Sequence, residues 1–350
     1  MVAEQVVVSS ADDRSMPWIG HGENITVTDG LMTSQEVIEA AGLGWKTRKV
    51  GLMTVEHSPV PGKFAVVRED NGFPLGVVGE KYVEVFNEDA FDFANGIVAD
   101  NGNHFLAGGQ TDEGRQVFIV IDLAGVAPIT IEGDPGFQTY LIIRTSHDGS
   151  CALSAMVTPV RLRCRNMLNF ALSQAISRFS IRHSGNIESK MGAARKALGI
   201  SVNYMRRFED VANALIDTPV NDARAEAIFR DAFVMKDTVE QKGEDSDRYV
   251  NHAATRTFDR YADAPDLADF RGTGWGVVNA VAEFIDHDKA YGKGADRSAI
   301  DVKTTSVLWG QGANILNRTL ALVDPTLADP KVARSATRFR NRVDAGVAVR

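Results

Sequence analysis

Residues 138–157 read QTYLIIRTSHDGSCALSAMV, and this stretch decides the fold. Two apolar runs, Gln138–Thr145 and Cys151–Val157, flank the dipeptide Asp148-Gly149. Gly149 accepts positive φ without steric cost, so the pair predicts a tight hairpin between antiparallel strands. Upstream, His104–Gly108 and Gln116–Leu123 read as further strands, as do Arg48–Thr54, Lys63–Arg68 and Gly76–Phe86, the last two joined across Asn71-Gly72. Two short helices interrupt them. Thr33 and Glu36 form a capping box for a helix near Ser34–Ala41 that stops at Gly42, and Asn87 is placed to cap a helix through Phe91, Phe93 and Ile97 to Asp100.

Downstream of Arg165 the apolar spacing becomes helical. Met167, Leu168, Phe170, Ala171, Leu172, Ala175 and Ile176 share one helical face, and Phe179–His183 is a brief extended piece. Further helices are predicted at Asn186–Leu198 with Gly199 as stop, Val202–Ile216, Asp222–Phe233, Tyr249–Ala262, Gly276–Asp286 and Ser306–Val323. Strands followed by helices, without βαβ alternation, predict an α+β fold with an N-terminal antiparallel β-rich region and a helical C-terminal half. The expected organisation is a flexible N-terminus at 1–17, a β-rich domain at 18–200 and a helical domain at 201–350 with a basic tail.

A hydrophobic content of 44% with 24% charged residues supports a sizeable core. No run of apolar residues is long enough for a membrane span, and Met1–Pro17 lacks the basic flank and apolar stretch of a signal peptide. Cys151 and Cys164 are too few for a disulfide framework or a four-thiolate zinc site, so a reducing, cytoplasmic setting is expected.

Net charge is −8, but the average conceals an asymmetry. Between Arg161 and Arg207 ten Lys or Arg residues face one acid, Glu188, a local net of +9 that leaves −17 for the remainder. A smaller basic stretch closes the chain, with Lys331, Arg334, Arg338, Arg340, Arg342 and Arg350 against Asp344. Within the band, Arg161-Leu162-Arg163-Cys164-Arg165 would, if extended, set three guanidiniums on one face at intervals of roughly 6.6 Å, a spacing suited to successive phosphates. The band continues through Arg178, Arg182, His183, Lys190, Arg195, Lys196, Arg206 and Arg207, with Phe179 and Tyr204 available to stack bases. The same cations could instead be a solvated face or pair with acids of the remainder, and Phe179 also suits a core position.

Signals of catalysis are weaker. Thr145–Cys151 contains serine, histidine, aspartate and cysteine, but catalytic partners usually meet from distant positions, and Asp148-Gly149 already serves a turn. Glu283, Asp286, His287 and Asp288 cluster at a helix end, where a metal site is conceivable and a solvated turn is simpler. Gly274-Trp275-Gly276 and Gly310-Gln311-Gly312 lack the context of a phosphate loop. No catalytic residue, metal or cofactor is assigned.

Several separated blocks nevertheless resemble a known family. TPVRLRCRNMLNFAL at 158–172, IRHSGNIE at 181–188, GWGVVNAVAEFIDH at 274–287, WIGHG at 18–22 and the segment from Tyr82 to Phe93 are similar to the phage/plasmid-like protein family, domain of unknown function 932. That resemblance implies a mobile-element setting and transfers no catalytic residue. The layout, a hairpin region feeding a basic strand and helix, is also similar to phage single-strand annealing proteins of the RecT/Erf type. This implies a homo-oligomer that holds single-stranded DNA or RNA in a basic groove without a nucleotide cofactor. Single-stranded nucleic-acid binding is therefore the leading expectation. A structural or interaction protein of a mobile element is the alternative, and a metal-assisted hydrolase the least favoured.

Overall fold

The computed structural model describes residues 25–98, 102–123, 125–126, 128–161, 166–168, 170–180, 187–234, 244–290 and 299–336. Antiparallel strands dominate the N-terminal part and helices the remainder, an α+β fold. The larger sheet has the order β1-β5-β6-β7-β8-β10: β1 (Ile25–Leu31), β5 (His104–Thr111), β6 (Gln116–Asp122), β7 (Phe137–Ser146), β8 (Ser154–Arg161) and β10 (Arg178–Ser180). The two-residue β9 (Asn166–Met167) pairs with the end of β8. A second sheet of three strands comprises β2 (Thr47–Met53), β3 (Pro59–Arg68) and β4 (Pro74–Gly79).

The larger sheet is covered on both faces. Every residue of β6 from Val117 to Asp122 is buried, which explains why FIVI runs apolar without alternation. Gly108 faces α1 (Ser34–Ala40), where an added Cβ would lie 2.8 Å from Val37. On the opposite face Phe118 meets Trp309 edge-on at 6.3 Å between centroids. The smaller sheet docks near the β7–β8 loop: Tyr82 Oη donates to the Ser146 carbonyl, and Gly76 abuts Asp148 too closely to admit a Cβ.

The helices are α2 (Asn87–Phe91), α3 (Asn95–Val98), α4 (Ile187–Ile216), α5 (Asp222–Phe233), α6 (Glu244–Asp263), α7 (Gly274–Glu283), α8 (Ala299–Trp309) and α9 (Gln311–Val323). The α1 capping box forms as its sequence dictates, and Asn221 caps α5 by accepting from Arg224 N. Asn87 does not cap α2. It is the first helical residue, and its amide instead donates to the Leu43 carbonyl.

Several boundaries differ from expectation. Gly199 does not stop a helix: α4 passes through it for 30 residues, so the domain boundary expected at 200 falls inside one helix. Burial of Ala197, Tyr204, Phe208, Val211 and Leu215 along one face outweighs the cost of a single glycine, about 1 kcal/mol. The helix expected over 167–176 is absent, although Leu168, Phe170 and Leu172 are buried. Its backbone is held by side chains instead. Met167 N–H donates to Asp286, Phe170 N–H to Tyr204 Oη and Ala171 N–H to Asn317, while Gln174 takes a left-handed φ of 65°. The Asp148-Gly149 hairpin is wider than a two-residue turn, for β7 ends at Ser146 and β8 begins at Ser154. The helix expected at Ser306–Val323 divides at Gly310, its first part, α8, starts earlier at Ala299, and β1 was not foreseen in the sequence.

Glycine spacing makes a paired prediction. At Gly276 an added Cβ would sit 2.4 Å from the Phe270 carbonyl oxygen, whereas at Gly199 nothing lies within 4 Å. Gly276→Ala should lower stability by about 1–3 kcal/mol through overpacking against backbone. Gly199→Ala should raise it by up to about 1 kcal/mol through helix propensity. Chemical denaturation checks both, and equal effects at the two sites would contradict the packing described.

Candidate nucleic-acid interface

The basic band divides into buried, exposed and surface-anchored residues. Arg161 is wholly buried: its Nε donates to Asp134 Oδ2 at 2.7 Å, one Nη to Asp266 Oδ2 at 2.6 Å and the other to the Asp266 carbonyl at 2.8 Å. Trp275 Nε1 donates to the same Asp134 oxygen at 2.9 Å. Arg161 is therefore removed from the nucleic-acid set, because a wholly buried guanidinium committed to Asp134 and Asp266 cannot reach a phosphate. Arg161 pairs with Asn166 in antiparallel fashion, and the rest of the expected strand, 162–165, lies outside the described residues.

Tyr204 is removed as well. It has no exposed surface, and its hydroxyl donates to the Phe170 carbonyl and accepts from Phe170 N–H, so it cannot stack a base. Arg163, Arg165, Arg182 and His183 lie outside the described residues, as does the side chain of Lys190. Arg195, Lys196 and Arg206 are exposed on α4. Arg207 is half-buried and reaches Ser173 through its carbonyl and hydroxyl oxygens.

Arg178 and Phe179 fall in a more informative place. They lie on β10, which pairs with β8 along one side through Arg178↔Met156 and Ser180↔Ser154. A groove of about 630 Å³ lies on one side, between the 171–178 segment and the 314–336 segment, with Arg178, Arg318 and Lys331 among its walls and Asp329 as an acid. A second hollow of about 310 Å³ is lined by Arg144, Cys151, Arg178, Phe179 and Trp309. Arg178 belongs to both.

Arg178 and Arg144 contact neutral groups, whereas Arg318 has Asp231 as an electrostatic partner. Arg178 donates to the Leu308 carbonyl at 2.9 Å, and Arg144 stacks over Trp309 at 4.2 Å from the ring centroid. Among the described residues neither has a carboxylate within ion-pairing distance. Burial lowers both guanidinium pKa values, and Arg144 lowers that of Arg178 further by repulsion. Burial likewise brings Arg318 down to about 10. The sequence reading missed Arg144, Trp309 and Arg318. Only Arg144 left a signal, a charged residue within the apolar LIIRT run, since Arg318 meets the groove and Trp309 the hollow through tertiary packing.

The clusters weighed for catalysis are structurally engaged. His147 is buried, edge-on to Trp45 at 4.9 Å between centroids, with Nε2 at 2.8 Å from Asn87 Oδ1. The Asn87 amide already donates to Leu43, so its oxygen accepts and His147 Nε2 donates. Burial pushes the imidazole down to about 4. In the 283–288 cluster Asp286 accepts from Met167 N–H at 2.8 Å, Asp288 forms two 2.8 Å bonds with Arg260, and Glu283 is buried. Among the described residues no group of three or more His, Cys, Asp or Glu side chains is arranged to hold a metal ion. Nor is any helix among them long and apolar enough to cross a membrane.

Residues 74–320 match the family described as Domain of unknown function (DUF932), and the chain belongs to that family. No curated protein and no solved structure matches the chain.

Two predictions follow from the buried groups. Arg161→Gln should cost about 3–5 kcal/mol, because it strands Asp134 without its counter-charge. Thermal melting measures this, and an unchanged melting temperature would contradict the network. The second concerns pH. Burial raises the Asp286 carboxyl to about 7 from 3.8, so the folded chain holds a proton that the unfolded chain releases. Its contribution to stability therefore falls as pH rises from the carboxylate range to about 7. His147 works in the opposite sense: its depressed pKa contributes stability fully above 6.5, and this is lost as pH falls toward about 4. Asp286→Asn keeps an acceptor for Met167 N–H, and its advantage over the parent should grow with pH across the Asp286 window. An advantage independent of pH would contradict the assignment.

Proposed function

We propose that this protein binds single-stranded nucleic acid along the groove beside β10, with Arg178 as the central phosphate contact. The observation that carries the reading is the placement of Arg178 between two hollows whose cations, Arg144, Arg318 and Lys331, outnumber the acid Asp329. A planar guanidinium can bond two phosphate oxygens while remaining charged. A single strand can follow an open groove, its flexible backbone adapting to cations that are unevenly spaced. The exposed Arg195, Lys196 and Arg206 extend the positive surface onto α4.

On this reading the chain is a binding protein of phage or plasmid type, assembling as a homo-oligomer and serving strand annealing. The support is the family resemblance together with a charge split that allows attraction between copies. A second reading, an interaction module, is favoured by one feature: Met53, Val55 and Val77 expose 63%, 93% and 59% of their surface on or beside the smaller sheet.

The test is oligonucleotide binding across salt concentration. Arg178→Gln with Lys331→Gln should weaken binding and reduce the slope of log affinity against log salt by about 0.7 per lost phosphate contact. Lys331 is exposed, and Arg178 keeps exposed surface although its guanidinium is partly desolvated and bonds a neutral carbonyl, so melting temperature should hold. Lys63→Gln, on the smaller sheet, should leave affinity unchanged. Absence of salt-dependent binding, or equal loss from the Lys63 variant, would overturn the reading.

A further inference from the structure

We propose that the hollow between β7, β10 and the end of α8 is a nucleotide pocket, taking one phosphate between Arg144 and Arg178 and the attached base against Trp309. The inference rests on the strand-binding reading and specifies how one unit of the strand is held.

The first argument is electrostatic. Arg144 and Arg178 interact repulsively, and the bonds described for them run to neutral groups: the Gln116 side-chain oxygen at 3.4 Å and the Leu308 carbonyl at 2.9 Å. Two partly desolvated cations without a carboxylate are an expensive arrangement for a fold to retain. A phosphate placed between them would remove the repulsion and supply acceptors to both. Functional sites commonly hold groups that the isolated fold would be more stable without.

The second argument is the remaining lining. Trp309 Nε1 is buried and, among the described residues, has no hydrogen-bond partner. An indole N–H can only donate, so a base carbonyl or ring nitrogen is a suitable acceptor for it. Ile142 and Met156 provide apolar walls on the same sheet face as Arg144 and Arg178, and a hollow of about 310 Å³ suits a ligand of modest size. Arg178 also lines the larger groove, so a strand lying there can turn one nucleotide into the hollow without leaving its central contact.

Cys151 reports on occupancy, since its free, part-exposed thiol lines the hollow. The experiment follows iodoacetamide alkylation of the full natural chain by peptide mass mapping, which separates Cys151 from Cys164. Its arms are no addition, a thymidine oligonucleotide, an abasic strand of equal length and inorganic phosphate. With oligonucleotide at about ten times its Kd, alkylation of Cys151 should slow about tenfold. The abasic strand and phosphate should protect less, because neither supplies a base. Arg144→Met should abolish the base-dependent protection while leaving melting temperature equal or higher, since it removes an unpaired cation. Strand binding with Cys151 alkylated at its free rate would overturn the pocket and leave the groove standing. Equal protection by the abasic strand would overturn the base assignment. No binding of the oligonucleotide would overturn both.

Discussion

A guanidinium with no exposed surface must be neutralised where it stands, and Arg161 is neutralised by residues from two other parts of the chain. Asp134 comes from the segment between β6 and β7, and Asp266 from the turn before α7. Trp275, the second residue of α7, shares the Asp134 oxygen. One buried side chain at the end of a central strand thus fixes the helical half against the larger sheet. The network specifies position more than it adds net stability, because desolvating three charges offsets much of their attraction. Phe137, Phe208 and Trp275 pack beside it and supply the apolar burial that the ion pairs do not.

This constraint shapes the surface that remains. With Arg161 turned inward and β9 folded back along β8, the strand that presents cations at the sheet edge is β10. Arg178 occupies it because Met167, Leu168 and Phe170 are pinned by Asp286, by Pro159 and by Tyr204, which leaves the following segment to pair with β8. The groove between 171–178 and 314–336 is a consequence of that routing. Leu172 bridges Ala328, and Ser173 N–H donates to the Leu327 carbonyl, which ties the two segments together.

Much of the architecture was legible because it rests on local rules. The Thr33–Glu36 box, the strands flanking Asp148-Gly149 and the order of strands before helices all follow from neighbouring residues. What was not legible depended on distant partners. The spacing of Met167 to Ile176 satisfies a helix, yet side chains more than thirty positions away hold its backbone. Alternation from Arg161 to Arg165 satisfies an exposed strand face, yet a strand arginine can point inward at aspartates that the sequence does not mark as its partners. Of the candidate binding residues, Arg178 and Phe179 line the smaller hollow with Arg144 and Trp309, whereas Arg161 and Tyr204 belong to the core.

The central claim is that β10 and the groove beside it receive a nucleic-acid strand while the Arg161 network stays unchanged beneath. Amide hydrogen exchange, measured with and without a single-stranded oligonucleotide, tests it most directly. The account predicts slowed exchange in 171–180 and 314–336, the segments that wall the groove. It predicts no change around Asp134 and Asp266, which are already committed to Arg161. Slowed exchange confined to the smaller sheet at 47–79, or no change anywhere on adding oligonucleotide, would contradict it.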